Sequence, residues 1–315
     1  QGLSRTLNKN VVSCKLNTDE AAAQTILGVD TDTGWLANDV IEIASTTRTP
    51  GQCENRILSV NATATELTVT AGLTNAHSGT SPTQAEVILL TRNVKIRSAT
   101  STIMSYTSYG ATTTIDIDWV EFYYVGQSAT SSKSALYTQT TSGTVNIAYC
   151  SIHDCEGIGY YHTGTITGTE NFSYNNMYNC SSASNTLNYW VYIYGPITFS
   201  NNLLIGGGAG VANVINFGAN FTGTFTNNVV AGITSPVPGT TIYGAICFAG
   251  GYPTSAATFD NNLIHSCGNT GLSSDGQSLQ NFTISNMTIY RCSGVGVIFE
   301  TDGLFHNNLT FTNWT

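Results

Sequence analysis

The sequence predicts an all-β protein in which a right-handed parallel β-helix of about eight coils, residues 101–315, follows a β-rich capping module, residues 1–100. Three observations lead to this prediction. A short apolar alternation ending in a large side chain recurs through the second region, Asn lies at a fixed distance after that side chain, and the first region lacks both features. Period-two alternation within a regular repeat indicates strands that stack from one coil to the next.

The repeat has eight copies. In order they read IDIDWVE, VNIAYCS, NFSYNN, ITFSNN, GTFTNN, ATFDNN, FTISNM and GLFHNN, with anchor residues Trp119, Tyr149, Tyr174, Phe199, Phe225, Phe259, Ile284 and Phe305. A unit of about 25 residues is too short for a propeller blade and lacks the leucine-rich and ankyrin patterns. We therefore predict that each unit is one coil and that the anchors point inward in one column. An insertion at residues 235–239 would form a loop, either at a binding face or on a passive surface.

Asn follows most anchors at an offset of two residues. The predicted ladder comprises Asn176, Asn201, Asn227, Asn261, Asn286 and Asn307. Asn tolerates the left-handed conformation that a sharp bend requires, and stacked Asn side chains can hydrogen-bond along a ladder.

Four of the eight cysteines recur in register with the coils. Cys155 and Cys180 each lie six residues after an anchor, and Cys267 and Cys292 each lie eight residues after one. Adjacent coils are about 4.8 Å apart, which is within the Cα separation of a disulfide. We therefore predict two disulfides, with stacked reduced thiols as the alternative. The pairing of the other four stays open: Cys14, Cys53, Cys150 and Cys247.

The first 100 residues contain strand-like segments such as DVIEIAST and EVILLTRNVKIRS. We expect this module to cover the first coil, because an exposed coil end invites pairing with another chain. At the other end, GLFHNNLTFTNWT begins a further coil without a polar cap. The expected partners there are other copies of the chain or further segments of a larger surface protein.

Charge is scarce and unevenly placed. Charged residues make up 9% of the chain, the net charge is −9, and Arg291 is the only basic residue from Ser134 onward. Nucleic acid is therefore an improbable partner, and a polyanionic sugar chain is poorly matched to this half. No apolar run is long enough to span a membrane in this segment. We expect no cofactor and no metal site, because the cysteines lack the spacing of zinc ligands.

The best catalytic candidates are His153, Asp154 and Glu156 in SIHDCEG. Two carboxylates and an imidazole can act as acid and base on a glycosidic bond. All three lie on one strand and its turn, however, so a solvated turn is the favoured interpretation.

Glycosylation is expected where a sequon faces outward. Asn171 and Asn281 lie three residues before their anchors, and Asn61 lies in a turn. Asn286 also belongs to a sequon, but its place on the ladder predicts a bare amide.

Five blocks within residues 35–157 carry a family resemblance. They read WLANDVIEIAST, GLTNAHSG, AEVILLTRNVKIRS, VEFYYVGQ and SIHDCEG. In this order they resemble the segment after the eight-glycine domain of the cell-migration-inducing hyaluronidase, its transmembrane relative, fibrocystin and the fibrocystin-like proteins. The resemblance implies an extracellular or cell-surface protein.

The chain departs from the hyaluronidase-like members at one stretch. They carry Tyr-Pro-Ile-His-Phe-His after the VEFYYVGQ block, whereas Tyr137 and Gln139 replace the two histidines here. Neither residue takes up a proton near neutral pH as imidazole does. The predicted function is therefore a non-catalytic, structural or adhesive segment of an extracellular surface protein, appendage or filament, with glycans as possible ligands. The alternatives are a carbohydrate-active enzyme acting on glycosaminoglycan or another polysaccharide, and a viral or phage spike.

Overall fold

In the computed structural model, the regular secondary structure of the described residues is β-strand apart from two short turns. The described residues are 10–100, 105–111, 114–127, 131–140, 142–163, 168–180, 189–207, 213–218, 221–234, 244–249, 257–268, 270–275, 282–299 and 310–313. Within these ranges the helical elements are two 3-10 turns, Pro50–Gln52 and Ser131–Lys133. None of the helices in this part of the chain has the length and apolarity needed to cross a membrane.

The N-terminal module consists of six short antiparallel strands. They are β1 (Ser13–Lys15), β2 (Ile26–Gly28), β3 (Val40–Ile43), β4 (Glu54–Ile57), β5 (Glu66–Thr68) and β6 (Glu86–Leu89). One sheet has the order β1-β6-β3-β4, and β2 pairs with β5. Trp35, Leu27 and Ile41 belong to a hydrophobic core that is separate from that of the following coils.

The remaining strands build the predicted parallel β-helix, which has three sheets of eight strands. The first sheet contains β7 (Val94–Arg97), β10 (Val120–Tyr123), β13 (Ser151–Cys155), β16 (Asn176–Cys180), β19 (Leu203–Ile205), β22 (Val229–Ala231), β25 (Leu263–His265) and β28 (Thr288–Tyr290). The second contains β8 (Thr107–Ala111), β11 (Leu136–Thr140), β14 (Tyr160–His162), β17 (Tyr189–Ile193), β20 (Asn213–Phe217), β23 (Gly244–Ala249), β26 (Thr270–Asp275) and β29 (Val297–Phe299). The third contains β9 (Ile115–Asp118), β12 (Thr144–Ala148), β15 (Thr169–Ser173), β18 (Pro196–Ser200), β21 (Thr222–Thr226), β24 (Ala257–Asp260), β27 (Phe282–Ser285) and β30 (Thr310–Thr312). Because β7 already belongs to the first coil, the boundary expected at residue 100 falls inside that coil.

The inward column of the third sheet confirms four anchors and corrects three. In register it runs through Ile117, Ile147, Phe172, Phe199, Phe225, Phe259 and Ile284. Trp119, Tyr149 and Tyr174 were therefore wrong as inward anchors, because in the first three coils the inward residue lies two positions earlier. Phe305 lies outside the described residues. All seven side chains of the observed column are buried, which makes it a continuous core of stacked apolar groups.

The displaced aromatic residues occupy a left-handed turn position that later coils give to Asn. Trp119, Tyr149, Tyr174, Asn201, Asn227, Asn261, Asn286 and Asn313 all have φ between 50 and 58°. The aromatic rings stack 4.9 and 5.1 Å apart. Among the Asn residues, the Asn261 amide nitrogen donates to the Asn227 oxygen at 2.8 Å.

Four residues of the predicted ladder do occupy this turn position, one in each of four coils: Asn201, Asn227, Asn261 and Asn286. Asn176 was wrong: it lies within β16 and donates from Nδ2 to the carbonyl oxygens of Val12 and Leu89. Asn307 lies outside the described residues. Asn286 is exposed at the turn, and its lack of a glycan stays a prediction.

A second, buried ladder lies one residue further along and was not predicted. It consists of Asn175, Asn202, Asn228 and Asn262, which are at most 2% exposed. The Asn228 side-chain oxygen accepts the Asn202 backbone N–H at 3.0 Å, and Asn228 Nδ2 donates to the Phe199 carbonyl oxygen at 3.1 Å. These amides satisfy the backbone groups that the bend takes away from the sheets.

The paired cysteines occupy adjacent coils as the register predicted. Cys155 is the direct partner of Cys180, and the Cys267 and Cys292 thiols are in hydrogen-bond contact. All eight cysteines are free thiols in this structure. The two disulfides therefore stay a prediction.

The module lies along the outer face of the first sheet, so its contacts extend far beyond the first coil that we expected it to cover. Ala44, Ile88 and Leu90 pack with Ile205 and Ala231 from two later coils. These apolar contacts join the module to the middle of the β-helix.

Buried Arg92 joins the module to an early turn of the β-helix. Its guanidinium donates to the backbone oxygens of Leu89, Thr91, Tyr149 and Cys150. Burial lowers the pKa of Arg92 to about 10, so the group remains charged at neutral pH.

Further along the flank, Gly232 allows the module to approach closely. An added Cβ there would overlap the Cys53 Sγ atom, and φ is 66°. Glycine suits both requirements because it lacks a side chain and adopts positive φ freely.

Removing one buried ladder amide should destabilise the fold. Asn228→Ala leaves the Asn202 N–H and the Phe199 carbonyl without their partners, and we expect a loss of about 2–3 kcal/mol in the free energy of unfolding. Asn227→Gly, at the adjacent exposed turn position, preserves the left-handed conformation and should cost less than about 1 kcal/mol. Guanidinium unfolding measures both, and equal losses would contradict the distinction between the two ladders.

Oxidation should link the in-register cysteines. Each disulfide closes a loop of about 25 residues and should stabilise the chain by roughly 3 kcal/mol. Peptide mapping of protein purified without reductant should find Cys155 joined to Cys180 and Cys267 joined to Cys292. Free thiols at all four positions, or crossed pairs, would refute this prediction.

Candidate functional site

His153 and Asp154 form part of a buried ion-pair network. His153 Nδ1 lies 2.9 Å from an Asp154 carboxylate oxygen, and Nε2 lies 3.5 Å from Glu121. Lys95 contacts the same Glu121 oxygen at 3.1 Å. Burial alone would lower the pKa of His153, but the two carboxylates outweigh it and raise that pKa above 6.5.

This network resembles a structural clamp more than a catalytic centre. The Glu121 carboxylate also accepts the Arg92 backbone N–H at 2.7 Å, which ties it to the end of the module. The Tyr123 ring lies parallel to the imidazole of His153, which is only 7% exposed. Glu156, the third predicted residue, lies in the turn that follows β13. Two of the three candidates therefore meet, in a place with little access for a substrate.

Tyr137 and Gln139, the two positions that the predicted resemblance aligns with histidines, lie on β11 in the second sheet. The Tyr137 ring is half-buried, and its centroid is 5.6 Å from that of Tyr161. Burial raises the pKa of Tyr137, so the phenol stays protonated at neutral pH.

Two of the three glycosylation candidates are described, and both are accessible to some degree. Asn61 is exposed and accepts the Ala37 N–H at 3.0 Å. Asn171 faces outward from β15, and its amide nitrogen donates to Asn146 at 2.8 Å. Asn281 lies outside the described residues. Glycosylation stays a prediction at all three.

A polar cluster inside the coils was not anticipated. Glu170 and His162 are buried with Nδ1 2.6 Å from a carboxylate oxygen, and Thr138 and Tyr160 donate to the other oxygen. Because all four side chains are at most 1% exposed, the cluster is a part of the core.

The cavity with the most suitable chemistry is a groove where the module meets the last coils, with a volume of about 650 Å³. Its lining is Arg48, Pro82 and Thr83 from the module and Asn261, Asn262, Leu263, Asn286, Thr288, Ile289, Tyr290 and Arg291 from the β-helix. This volume is within the usual range for sites of small ligands. We call it the junction groove.

Tyr290 forms a fixed wall of the junction groove. One face of its ring stacks on His265, with centroids 5.0 Å apart and an interplanar angle of 3°. Its hydroxyl donates to the Pro82 carbonyl oxygen at 3.3 Å. Burial raises the pKa of Tyr290, so the groove contains a neutral phenol.

His265 is itself held by the module. Its Nε2 atom lies 2.8 Å from Glu86, and Lys15 lies 3.3 Å from the same carboxylate. Glu86 and His265 are both at most 1% exposed. The module thus positions the imidazole on which Tyr290 rests.

Sequence reasoning missed this groove because its walls are far apart in the chain. Arg48 and Arg291 line the same cavity although they are separated by more than 200 residues. Arg291 is the one basic residue in the sequence from Ser134 onward. The docked module brings Arg48 to the same cavity. The strand pattern of residues 1–100 gave no sign of where the module would dock.

No family model and no curated protein matches this chain. Three solved structures are similar to it. The tailspike gp61 of Pseudomonas phage phi297 is 10% identical with a TM-score of 0.42, covering 97% of this chain and 62% of that one. The tailspike gp49 of Pseudomonas phage LKA1 is 12% identical with a TM-score of 0.23, covering 95% and 63%. The gp54 tailspike of Acinetobacter baumannii phage AP22, solved with A. baumannii capsular saccharide, is 13% identical with a TM-score of 0.24, covering 96% and 56%.

The chain thus spans less than two thirds of each of these tailspikes. The three structures are not from the hyaluronidase and fibrocystin-like family, so that resemblance stays a prediction.

Acid should weaken the docking of the module. Burial raises the pKa of Glu86, but His265 and Lys15 outweigh it, so the folded-state pKa lies below the ordinary 4.5. The resulting stability is complete above about pH 4.5 and is lost as the pH falls through the lower folded-state pKa. Urea unfolding between pH 7 and pH 3 should show a smaller acid loss for Glu86→Gln than for the parent. Identical acid losses would show that this pair contributes nothing to docking.

Proposed function

We propose that this chain is the saccharide-binding part of an extracellular spike or appendage. This function combines the adhesive prediction with the viral-spike alternative and differs from a purely structural cell-surface segment. The observation that carries it is the junction groove, which combines an aromatic wall, apolar carbons, amides and guanidinium groups within one cavity.

The groove chemistry matches both kinds of surface on a sugar. A pyranose ring has an apolar face of C–H groups, for which the half-buried Tyr290 and Leu263 provide contact. Its rim carries hydroxyl groups that donate and accept. Asn261 and Asn286 are exposed at the turn, and a carboxamide offers two N–H donors and an acceptor oxygen.

The groove is also organised in advance of binding. Tyr290 is fixed by His265 and Pro82, and the two Asn residues belong to the hydrogen-bonded turn ladder. Side chains that are already ordered lose little entropy when a ligand arrives. A rigid site of this kind can therefore bind a ligand that makes only a few contacts, such as one segment of a glycan chain.

Binding is favoured over hydrolysis at this site. Hydrolysis of a glycosidic bond usually needs two carboxyl groups on opposite sides of the bond. Among the described residues that line the groove, none is an Asp, a Glu or a His. Asp260 is adjacent, where it accepts from Asn286 at 2.7 Å, and that bond and one from Ser285 keep its pKa below 3.8. It is thus an ionised acceptor and is poorly suited to act as a general acid.

Loss of the aromatic wall should weaken saccharide binding. The full chain should bind at least one member of a panel of neutral and acidic hexasaccharides, including bacterial capsular fragments, in calorimetry. Tyr290→Ala should weaken that binding by about 10-fold or more, which corresponds to roughly 1.4 kcal/mol. Tyr106→Ala is the matched control, because Tyr106 is 46% exposed and lies before the second strand of the first coil. Equal effects of both changes, or no binding by the parent chain, would contradict the proposal.

A further inference from the structure

We infer that the junction groove contains a carboxylate subsite formed by Arg48 and Arg291, so that its ligand is a glycan bearing a carboxylate group. This inference rests on the proposed function and specifies the ligand class. Both arginines line the groove, one from each of its walls. Neither the composition of the second half nor its spacing pattern predicts a pair of cations there.

Arg291 is bonded to the segment of the module that carries Arg48. Arg291 Nη1 donates to the carbonyl oxygen of Thr46, and Arg48 follows Thr46 by two residues on the same segment of the module. The Thr46 bond holds the Arg291 guanidinium against the segment of the module that carries Arg48.

Within the described part of the chain, neither arginine forms an ion pair. The ion pairs observed there use Lys15, Arg56, Lys95 and four histidines. The chain has ten basic residues and a net charge of −9. Two cations that line one cavity without a carboxylate partner in this part of the chain therefore offer charge complementarity to an anionic ligand.

Arg291 occupies a left-handed turn position that follows β28. Its φ is 54°, and the matching turn positions of other coils hold Tyr124, Asp154, Asn179 and Ser266 at 46 to 54° and Gly206 and Gly232 at 71 and 66°. Asn and glycine adopt this conformation most readily, so the turn itself does not require an arginine.

A carboxylate is the anion that fits best. Guanidinium presents parallel N–H groups that match two oxygens of one planar group. The protein as a whole is acidic, and ionised Asp260 lies beside the Asn286 end of the groove. A densely sulfated chain would be repelled there, whereas a single carboxylate can lie at the arginine end.

Glucuronate and its uncharged amide, glucuronamide, test the subsite directly, because they differ in one group. NMR titration of the full chain should show glucuronate binding at least about 10-fold more tightly than glucuronamide. Arg48→Gln and Arg291→Asn should each remove that preference. Arg291→Asn also places a residue suited to left-handed φ at the turn, so its thermal stability should match or exceed that of the parent. Arg97→Gln, which removes an exposed charge from the first coil, should leave the preference intact.

Each other outcome is decisive. Equal affinities for the two sugars, both lowered by Tyr290→Ala, would overturn the carboxylate subsite while leaving the proposed function standing. Failure of both sugars to bind at about 50 mM, roughly 50-fold above a Kd of 1 mM, would overturn the subsite. The hexasaccharide panel would then decide the proposed function separately. Binding of glucose 6-sulfate as tightly as glucuronate would show a general anion site and would contradict the assignment to carboxylates.

Discussion

The structure depends on one repeated constraint: every coil must bend at the same place so that its three strands align with those of the next coil. After the third sheet, one residue takes a left-handed conformation in each of eight successive turns. The following Asn, where present, is buried and bonds to backbone groups of neighbouring coils. Because a bend shifted by one residue would turn the inward side chains outward, this pair of positions maintains the register of the apolar column.

Register in turn creates the flank on which the module docks. Side chains at equivalent positions form straight columns on the first sheet, so a neighbouring sheet can pack against several coils at once. Ile205 and Ala231 meet the apolar face of the module, while Gly232 leaves room for Cys53. Charged contacts complete the interface, since Glu86 meets His265 and the Glu121 carboxylate meets the Arg92 backbone. The junction groove is a consequence of this docking, because its two walls belong to the two units.

The sequence predicted the architecture well because the repeat is a local signal. The coil, the inward positions of Phe199 to Ile284 and the left-handed Asn positions follow from alternation and offset alone. Trp119, Tyr149 and Tyr174 were wrongly predicted to point inward because, in the early coils, the large aromatic residue lies at the turn. The turn residue comes two positions after the inward residue, so an alternating pattern fits either of them. The buried ladder was missed because either Asn of an NN pair could be the one that bends the chain.

The site could not be predicted in the same way. Arg48, Pro82 and Tyr290 meet only because the module lies along the flank of the β-helix, and docking between two units depends on long-range packing that leaves no periodic pattern. His153 and Asp154 were found from sequence because they are adjacent, but their burial and their partner Glu121 were not visible there. Local patterns thus identified the fold and the pair His153 and Asp154, but they predicted a solvated turn where His153 is in fact buried in an ion-pair network. The candidate binding site required the tertiary contacts.

Hydrogen–deuterium exchange of the full chain, with and without its tightest-binding hexasaccharide, tests the central claim most directly. Ligand binding should slow exchange in the two segments that flank the groove, residues 82–83 of the module and 286–291 of the β-helix, because contact with both walls stabilises them together. Protection on both sides is the result that this account predicts. Protection confined to the outer face of the second sheet, or unchanged exchange at the junction of module and coils, would contradict it.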